Sequence, residues 1–233
     1  MIDRIEVKEH FNRIAAVYDG YKIQNLHYYD QLKKLIHDKT NGAVLKKVLE
    51  IGCGTGSLLN IVPCKFTVGG DISIQMIRQA KSKSHQSMKS HFIVMAAEEI
   101  PFKPVFDFVI AIDLMEHVTD QLSVLQELYR CSKPGTKILV STANPIWTYV
   151  LHYAEKKHRK MPEGPHQWPS MRFLKKAGLE AGFDIIECGY RYLIPFPVAK
   201  VGDLINKFFH RIPLLKRLGL IQYIIFIRKL NKM

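Results

Sequence analysis

The sequence predicts an α/β architecture built on a mostly parallel sheet, and two patterns carry that prediction. From Lys47 onward, short apolar runs alternate with amphipathic helical segments, the order that covers both faces of a parallel sheet with helices. One of those runs, Phe106 to Ile112, is continuously apolar after Asp107, as expected of a central strand buried on both faces.

Two helical stripes precede the first strand. Phe11, Ile14, Ala15 and Tyr18 fall at i, i+3, i+4, i+7, and Tyr28, Leu32, Leu35 and Ile36 fall at i, i+4, i+7, i+8. Gly20 and Gly42 punctuate their ends. Val48 to Ile51 reads as the first strand and runs into a glycine-rich turn; Phe66 to Val68 is the second, ending at Gly69-Gly70-Asp71. A helix capped by Ser73 runs to Ala80, and Phe92 to Met95 is the third strand. After the fourth strand, Phe106 to Ile112, a helix spans Asp120 to Cys131. Pro134-Gly135 then turns the chain into a fifth strand over Lys137 to Thr142. Ser170 caps a helix ending at Gly182, with Phe173, Leu174, Ala177 and Ala181 on its buried side. Phe183 to Cys188 and Gln222 to Arg228 complete seven strands, separated by an insertion too long for a simple connection. The whole is read as one domain over 1–233: N-terminal helices over 1–42, a sheet core over 43–143, and a cap with the last two strands over 144–233.

The charge is lopsided. Of a net +13, from 34 Lys+Arg and 21 Asp+Glu, residues 150–233 supply +10. Such a region favours anionic partners, although a solvated basic face is the plainer alternative. Cys53, Cys64, Cys131 and Cys188 lie far apart, without metal-ligand spacing, and read as reduced, mostly buried thiols of a cytoplasmic protein with no metal. The N-terminus goes straight into charged helical sequence, unlike a signal peptide, and no apolar run reaches the roughly 18–20 residues that span a bilayer.

The chemistry-bearing segment is Val48-Leu49-Glu50-Ile51-Gly52-Cys53-Gly54-Thr55-Gly56. Glycine serves where the backbone takes positive φ or must approach a ligand without a Cβ in the way. The dinucleotide fingerprint would read G-x-G-x-x-G. Here the glycines alternate, position 57 is Ser, and the acid Glu50 precedes the first glycine by two residues. This arrangement resembles the first motif of class I S-adenosylmethionine-dependent methyltransferases. The resemblance implies a Rossmann-like fold with S-adenosylmethionine as cofactor and S-adenosylhomocysteine as product. Asp71 closes the second strand, where a carboxylate accepts ribose hydroxyls. Ala97 and Glu98 lie in the segment that lines adenine in the resembling family; the Asp often found at Ala96 is missing, leaving Glu98 or a backbone group to meet the amine. Ile72 and Met76 are wall candidates, with core packing as the alternative.

The stretch from Phe106 to Thr142, with Asp113-Leu114-Met115-Glu116-His117-Val118 after the fourth strand, is similar to the small-molecule and lipid branch, including ubiquinone and menaquinone methyltransferases. Asp113 and His117 should then face the reactive end of the cofactor. The opening Phe11-Asn12-Arg13-Ile14-Ala15-Ala16-Val17-Tyr18-Asp19 resembles the first helix of that branch, where Tyr18 would close over the cofactor. Cofactor contacts are thus expected from Tyr18, Glu50, Gly52, Cys53, Gly54, Gly56, Asp71, Ile72, Met76, Ala97, Glu98 and Asp113.

Methyl transfer from a sulfonium asks the protein mainly for proximity and orientation, and a hydroxyl acceptor adds a need for a base. His117 and His166 are the two candidates, each with a structural role as its alternative: bonding the loop after the fourth strand, or pinning the loop Gly164-Pro165-His166-Gln167-Trp168-Pro169. No Asn/Asp-Pro-Pro-aromatic motif follows the fourth strand, which disfavours planar amide or exocyclic amine acceptors. In residues 193–220, Val201, Leu204, Ile205, Phe208 and Ile212 share a helical face with Lys207 and Arg211 off it. That fits an anionic membrane surface or a lid over the acceptor. The reading is methyl transfer to a small-molecule or lipid-like acceptor. Two alternatives are an RNA or protein methyltransferase, which the net charge favours, and a non-catalytic scaffold, against which the intact glycine motif stands.

Overall fold

The computed structural model describes residues 2–40, 43, 45–84, 90–192 and 216–229. The basic insertion 193–220, apart from its last five residues, lies outside the described residues, as does Gly42.

Three helices open the chain: α1 (Arg4–Ile14), α2 (Tyr18–Gln24) and α3 (Leu26–Thr40). Then come β1 (Leu45–Ile51), β2 (Cys64–Asp71), α4 (Ile74–Lys83), β3 (Ser90–Val94), β4 (Phe106–Ile112), α5 (Gln121–Cys131), β5 (Ser132–Ala143), α6 (Thr148–Lys156), α7 (Met171–Glu180), β6 (Asp184–Arg191) and β7 (Ile221–Ile227). The seven strands form one sheet in the order β3-β2-β1-β4-β5-β7-β6. The first five pair in parallel, and β7 runs antiparallel to both β5 and β6. This is the predicted Rossmann-like fold. Its strand order reverses direction at β1, which has β2 on one side and β4 on the other, and ligands bind beyond the carboxyl ends of strands at such a switch point.

Side-chain alternation explains the two cores. Along β4, Val109 and Ala111 face one side with Leu128, Leu174 and Phe226, while Phe108, Ile110 and Ile112 face the other with Leu32, Leu35, Ile36 and Ile77. Both faces are dry, so β4 has to be apolar throughout. The predicted caps hold: Ser73 accepts from the Met76 N–H, and Ser170 from the Phe173 N–H.

Four expectations change. The first helical stripe is broken, because α1 ends at Ile14 and Tyr18 starts a new helix. Gly20 sits inside α2 instead of ending a helix. Pro134-Gly135 is a kink within β5: Gly135 takes φ +86°, its N–H donates to the Arg228 carbonyl at 2.8 Å, and buried Thr136 donates its hydroxyl to the Phe106 carbonyl at 2.7 Å. Phe173 lies outside the buried face of α7, 44% exposed, where Met171 and Gly178 take part instead. Of the cysteines, Cys53 and Cys131 are buried but Cys188 is exposed. Among the described residues no helix is long and apolar enough to cross a membrane, and no group of three or more His, Cys, Asp or Glu could hold a metal.

Candidate active site

The loop after β1 is shaped by glycine. Gly52, Gly54 and Gly56 take φ of +70°, +51° and +75°, the left-handed region that costs a side chain dearly. The Gly52 and Cys53 N–H groups both donate to the Gly70 carbonyl, at 2.8 and 3.0 Å, which ties the loop to the end of β2. There Asp71 turns back: its Oδ2 accepts from the Gly54 N–H and its Oδ1 from the Ser73 N–H, each at 2.8 Å. Ser73 caps α4 with its hydroxyl, so Asp71 is not consumed as a cap and its carboxylate borders the cavity. Burial pushes its pKa up, and those two N–H donors pull it back.

A cavity of about 90 Å³ opens over this loop. It is lined by Tyr18, Glu50, Gly52, Cys53, Gly54, Asp71, Ile72, Met76, Ala97, Glu98, Asp113 and His117, so every expected cofactor residue except Gly56 is brought together there, along with one of the two candidate bases. Gly56 lies behind it. A Cβ at that position would stand 2.8 Å from the Phe92 ring, so the glycine is needed for close packing. Glu50 is buried, its Oε2 has no hydrogen-bond partner, and burial raises its pKa to about 8 against a partial counter-effect of Lys22.

Lys22, which carried no signal in the sequence, reaches into this cavity from α2. Its ammonium donates to Ser57 Oγ at 2.7 Å and to Thr55 Oγ1 at 3.4 Å, and lies 4.6 Å from the Tyr18 ring centroid. Burial lowers its pKa to about 8, while Glu50, Cys53, Asp71 and Asp113 favour the charged form. Asp19, one turn earlier, accepts from the Thr55 hydroxyl at 2.6 Å and pairs with Lys83. Thus α2 closes over the glycine loop through polar bonds as well as the Tyr18 ring.

A second cavity, about 360 Å³, adjoins the first. Phe11, Tyr18, Tyr29, Asp113 and His117 line both. The larger one is further walled by Tyr21, Tyr28, Tyr192, Glu116, Leu151 and Glu163 among others. Tyr28 was legible only as a member of an apolar helix face, and Tyr29 and Glu163 gave no signal. Asp113 follows β4 with φ +49° and accepts the Tyr28 hydroxyl at 2.9 Å on both oxygens; burial raises its pKa to about 7. Buried Glu116 has its Oε2 unpaired, and burial holds its pKa well above the usual carboxylate range.

Of the two candidate bases, His117 lines both of these cavities. Its Nδ1 lies 3.1 Å from the Pro165 carbonyl, which can only accept, so Nδ1 carries the proton and Nε2 the lone pair. Burial drops its pKa to about 4. His166 lines neither cavity. Its Nδ1 donates to the Gly164 carbonyl at 2.8 Å, its ring packs on Trp168 with centroids 4.5 Å apart, and its Nε2 lies 3.3 Å from that of His152. His10 bonds the Pro162 carbonyl at 2.9 Å, so three histidines pin the 162–166 loop through its carbonyls. The loop-pinning alternative for His166 is the one this geometry favours.

The family model for a methyltransferase domain matches residues 22–188. The chain is 31% identical over 193 residues to a ubiquinone biosynthesis O-methyltransferase of Pseudoalteromonas translucida (strain TAC 125), covering 77% of this chain and 80% of that one. It is also 31% identical over 180 residues to a malonyl-[acyl-carrier protein] O-methyltransferase 2 of Ilyobacter polytropus, covering 76% and 68%. The solved structure of a magnesium protoporphyrin IX methyltransferase from Synechocystis PCC 6803 with bound S-adenosylhomocysteine shares the fold at a TM-score of 0.66. It has 17% identity, over 97% of this chain and 100% of that one. With the glycine loop, Asp71 and an unpartnered Glu50 oxygen converging on one cavity, the chain belongs to the methyltransferase-domain family and is a class I S-adenosylmethionine-dependent methyltransferase, related to small-molecule O-methyltransferases.

Proposed function

We propose that this enzyme methylates a hydroxyl of a small-molecule or lipid-like acceptor held in the larger cavity. The observation that carries the reading is the shared wall: Asp113, His117, Tyr18, Tyr29 and Phe11 border both cavities, so groups seated in the two would meet there.

The residues of the smaller cavity fit the cofactor. Its methionine end is a zwitterion, and Lys22 offers a cation and Glu50 an unpaired carboxyl oxygen at the glycine loop. Asp71 suits the ribose hydroxyls, and Ile72, Met76 and Ala97 form an apolar wall for adenine, with Glu98 at its polar edge. Gly52 and Gly54 keep the approach open; a Cβ on Gly52 would already stand 3.0 Å from Leu114. S-adenosylmethionine, when bound, supplies an electrophilic methyl group.

The protein's own contribution is orientation and a proton acceptor. His117, fixed in one tautomer by Pro165, presents the Nε2 lone pair at the junction and stays unprotonated across neutral pH. It accepts a hydrogen bond from the acceptor hydroxyl and takes that proton as the oxygen gains carbon. The tyrosines and Leu151 supply apolar and aromatic surface to hold the acceptor body and exclude water. The relatives named as O-methyltransferases agree with oxygen as the receiving atom.

The test is to fill the larger cavity alone. Ala154 lines it and stays clear of the smaller one. Ala154→Trp should keep S-adenosylhomocysteine affinity within about twofold, yet lose methyl transfer into an extract of the source cells by roughly tenfold or more. Unimpaired transfer would remove the larger cavity from the reaction.

A further inference from the structure

The helix α6 presents an apolar stripe to solvent. Tyr149 and Tyr153 stand one turn apart on it, 88% and 62% exposed, and Ile146, 59% exposed in the turn Pro145–Trp147 just before the helix, extends the patch. A helix that packs only on its own domain would turn such a face inward. Here the inward side is otherwise occupied: Leu151 is buried, and Val150, Leu151 and Ala154 wall the larger cavity. The outward orientation is fixed by anchors at the base of the helix. The Trp147 indole N–H donates to the Leu218 carbonyl at 2.8 Å, and the Asn144 amide to the carbonyls of Arg217 and Gly219, each at 2.9 Å.

Charge continues the stripe. Lys156, Lys157 and Arg159 follow it and are exposed, with Lys157 Nζ lying 5.9 Å from the Tyr153 ring centroid. The single acid of α6, Glu155, accepts the Glu163 backbone N–H at 3.2 Å and is only part-exposed. The surface thus combines exposed tyrosines, Ile146 and a basic end, with the one acid of the helix held by the Glu163 N–H. Tyrosines favour the level of the headgroups, and Lys and Arg are drawn to anionic lipid.

We infer that α6 docks this enzyme on an anionic lipid surface, with Ile146, Tyr149 and Tyr153 entering the interface and Lys156, Lys157 and Arg159 against the headgroups. The same helix walls the larger cavity and Arg159 borders it, so docking places that cavity beside the bilayer. A lipid-like acceptor then passes from membrane to active site along α6; this last step rests on the acceptor reading above, whereas docking itself does not.

The experiment is co-sedimentation of the full chain with vesicles of phosphatidylcholine alone or mixed with phosphatidylglycerol. The wild type is compared with Ile146→Ser/Tyr149→Ser/Tyr153→Ser, three positions that line neither cavity. The wild type should bind the anionic vesicles roughly tenfold more strongly than the neutral ones, and the triple variant should lose about as much. Titration with S-adenosylhomocysteine reports folding and the cofactor site independently, and the variant should match the wild type. Equal vesicle binding by both proteins would assign attraction to the general basic charge and overturn the inference, as would no binding by the wild type. A dimer seen by light scattering that the triple variant abolishes would overturn it too, giving the stripe to a second copy of the chain.

Discussion

Lys22 Nζ donates to Ser57 Oγ at 2.7 Å, joining a helix outside the sheet to the loop that follows β1. The bond holds a cation among Glu50, Asp71 and Asp113 in a site dry enough to bring its pKa to about 8. Lys22→Met keeps the stem and removes the charge. It should weaken S-adenosylhomocysteine binding by roughly 10- to 100-fold, the worth of a hydrogen bond to a charged group. Calorimetric titration checks this, and unchanged affinity would move the ligand's carboxylate elsewhere.

Asp71 is held by two backbone N–H donors while its carboxylate borders the cavity. Asp71→Ala should cut cofactor affinity by about one to two orders of magnitude, from charge-assisted bonds of ~1.5–3 kcal/mol. Because Gly54 N–H also loses its acceptor, Asp71→Asn is the companion variant. It retains an acceptor oxygen and should lose less than the alanine variant in the same titration.

Glu50 links pH to stability. Its folded pKa of about 8 lies above the usual 4.5, so between these values the native state keeps a proton that the unfolded chain releases. Its contribution to stability is therefore fully present below pH 4.5 and is lost as pH rises towards 8. Glu50→Gln has no such window. Thermal melts of the two apoproteins should diverge across that range, with the variant gaining on the wild type as pH rises. Parallel curves would mean that Glu50 is ionised in the folded protein.

Gly56 combines φ +75° with a Cβ position 2.8 Å from the Phe92 ring and 3.4 Å from Ala80. Gly56→Ala should destabilise the fold by about 1–3 kcal/mol, the range for overpacking, added to backbone strain. Denaturant unfolding measures it. A variant as stable as the wild type that binds cofactor poorly would instead return Gly56 to the ligand contacts expected from the motif.

How far the sequence could be read depended on how local the cause was. The β4 strand was legible to the residue because burial on both faces leaves an unbroken apolar signature. The glycine loop, Asp71 and the Ser73 cap were legible because positive φ, a strand end and a helix start each demand particular residues. Gly56 shows the limit: its spacing signals a tight turn, but whether ligand or Phe92 fills the space in front of it is set by packing. Lys22 was missed because a lysine in a short helix reads as solvated, and only the closure of α2 over Ser57 and Thr55 buries it. Phe173 was misassigned because α7 packs on β7 along a face that includes Gly178. A Cβ there would stand 2.1 Å from the Phe226 ring, so that face is marked by smallness, which hydrophobic periodicity does not register.

The central claim is that the methyl group leaves for a small molecule or lipid held next to His117. The direct measurement incubates the enzyme with methyl-labelled S-adenosylmethionine and an extract of its source cells, then counts label in lipid, aqueous small-molecule, nucleic-acid and protein fractions. The account predicts label in the lipid or small-molecule fraction, lowered by roughly 100-fold or more in His117→Ala, as loss of a positioned base implies, and retained by His166→Ala. Label confined to nucleic acid or protein would contradict the acceptor assignment while leaving the cofactor site as described.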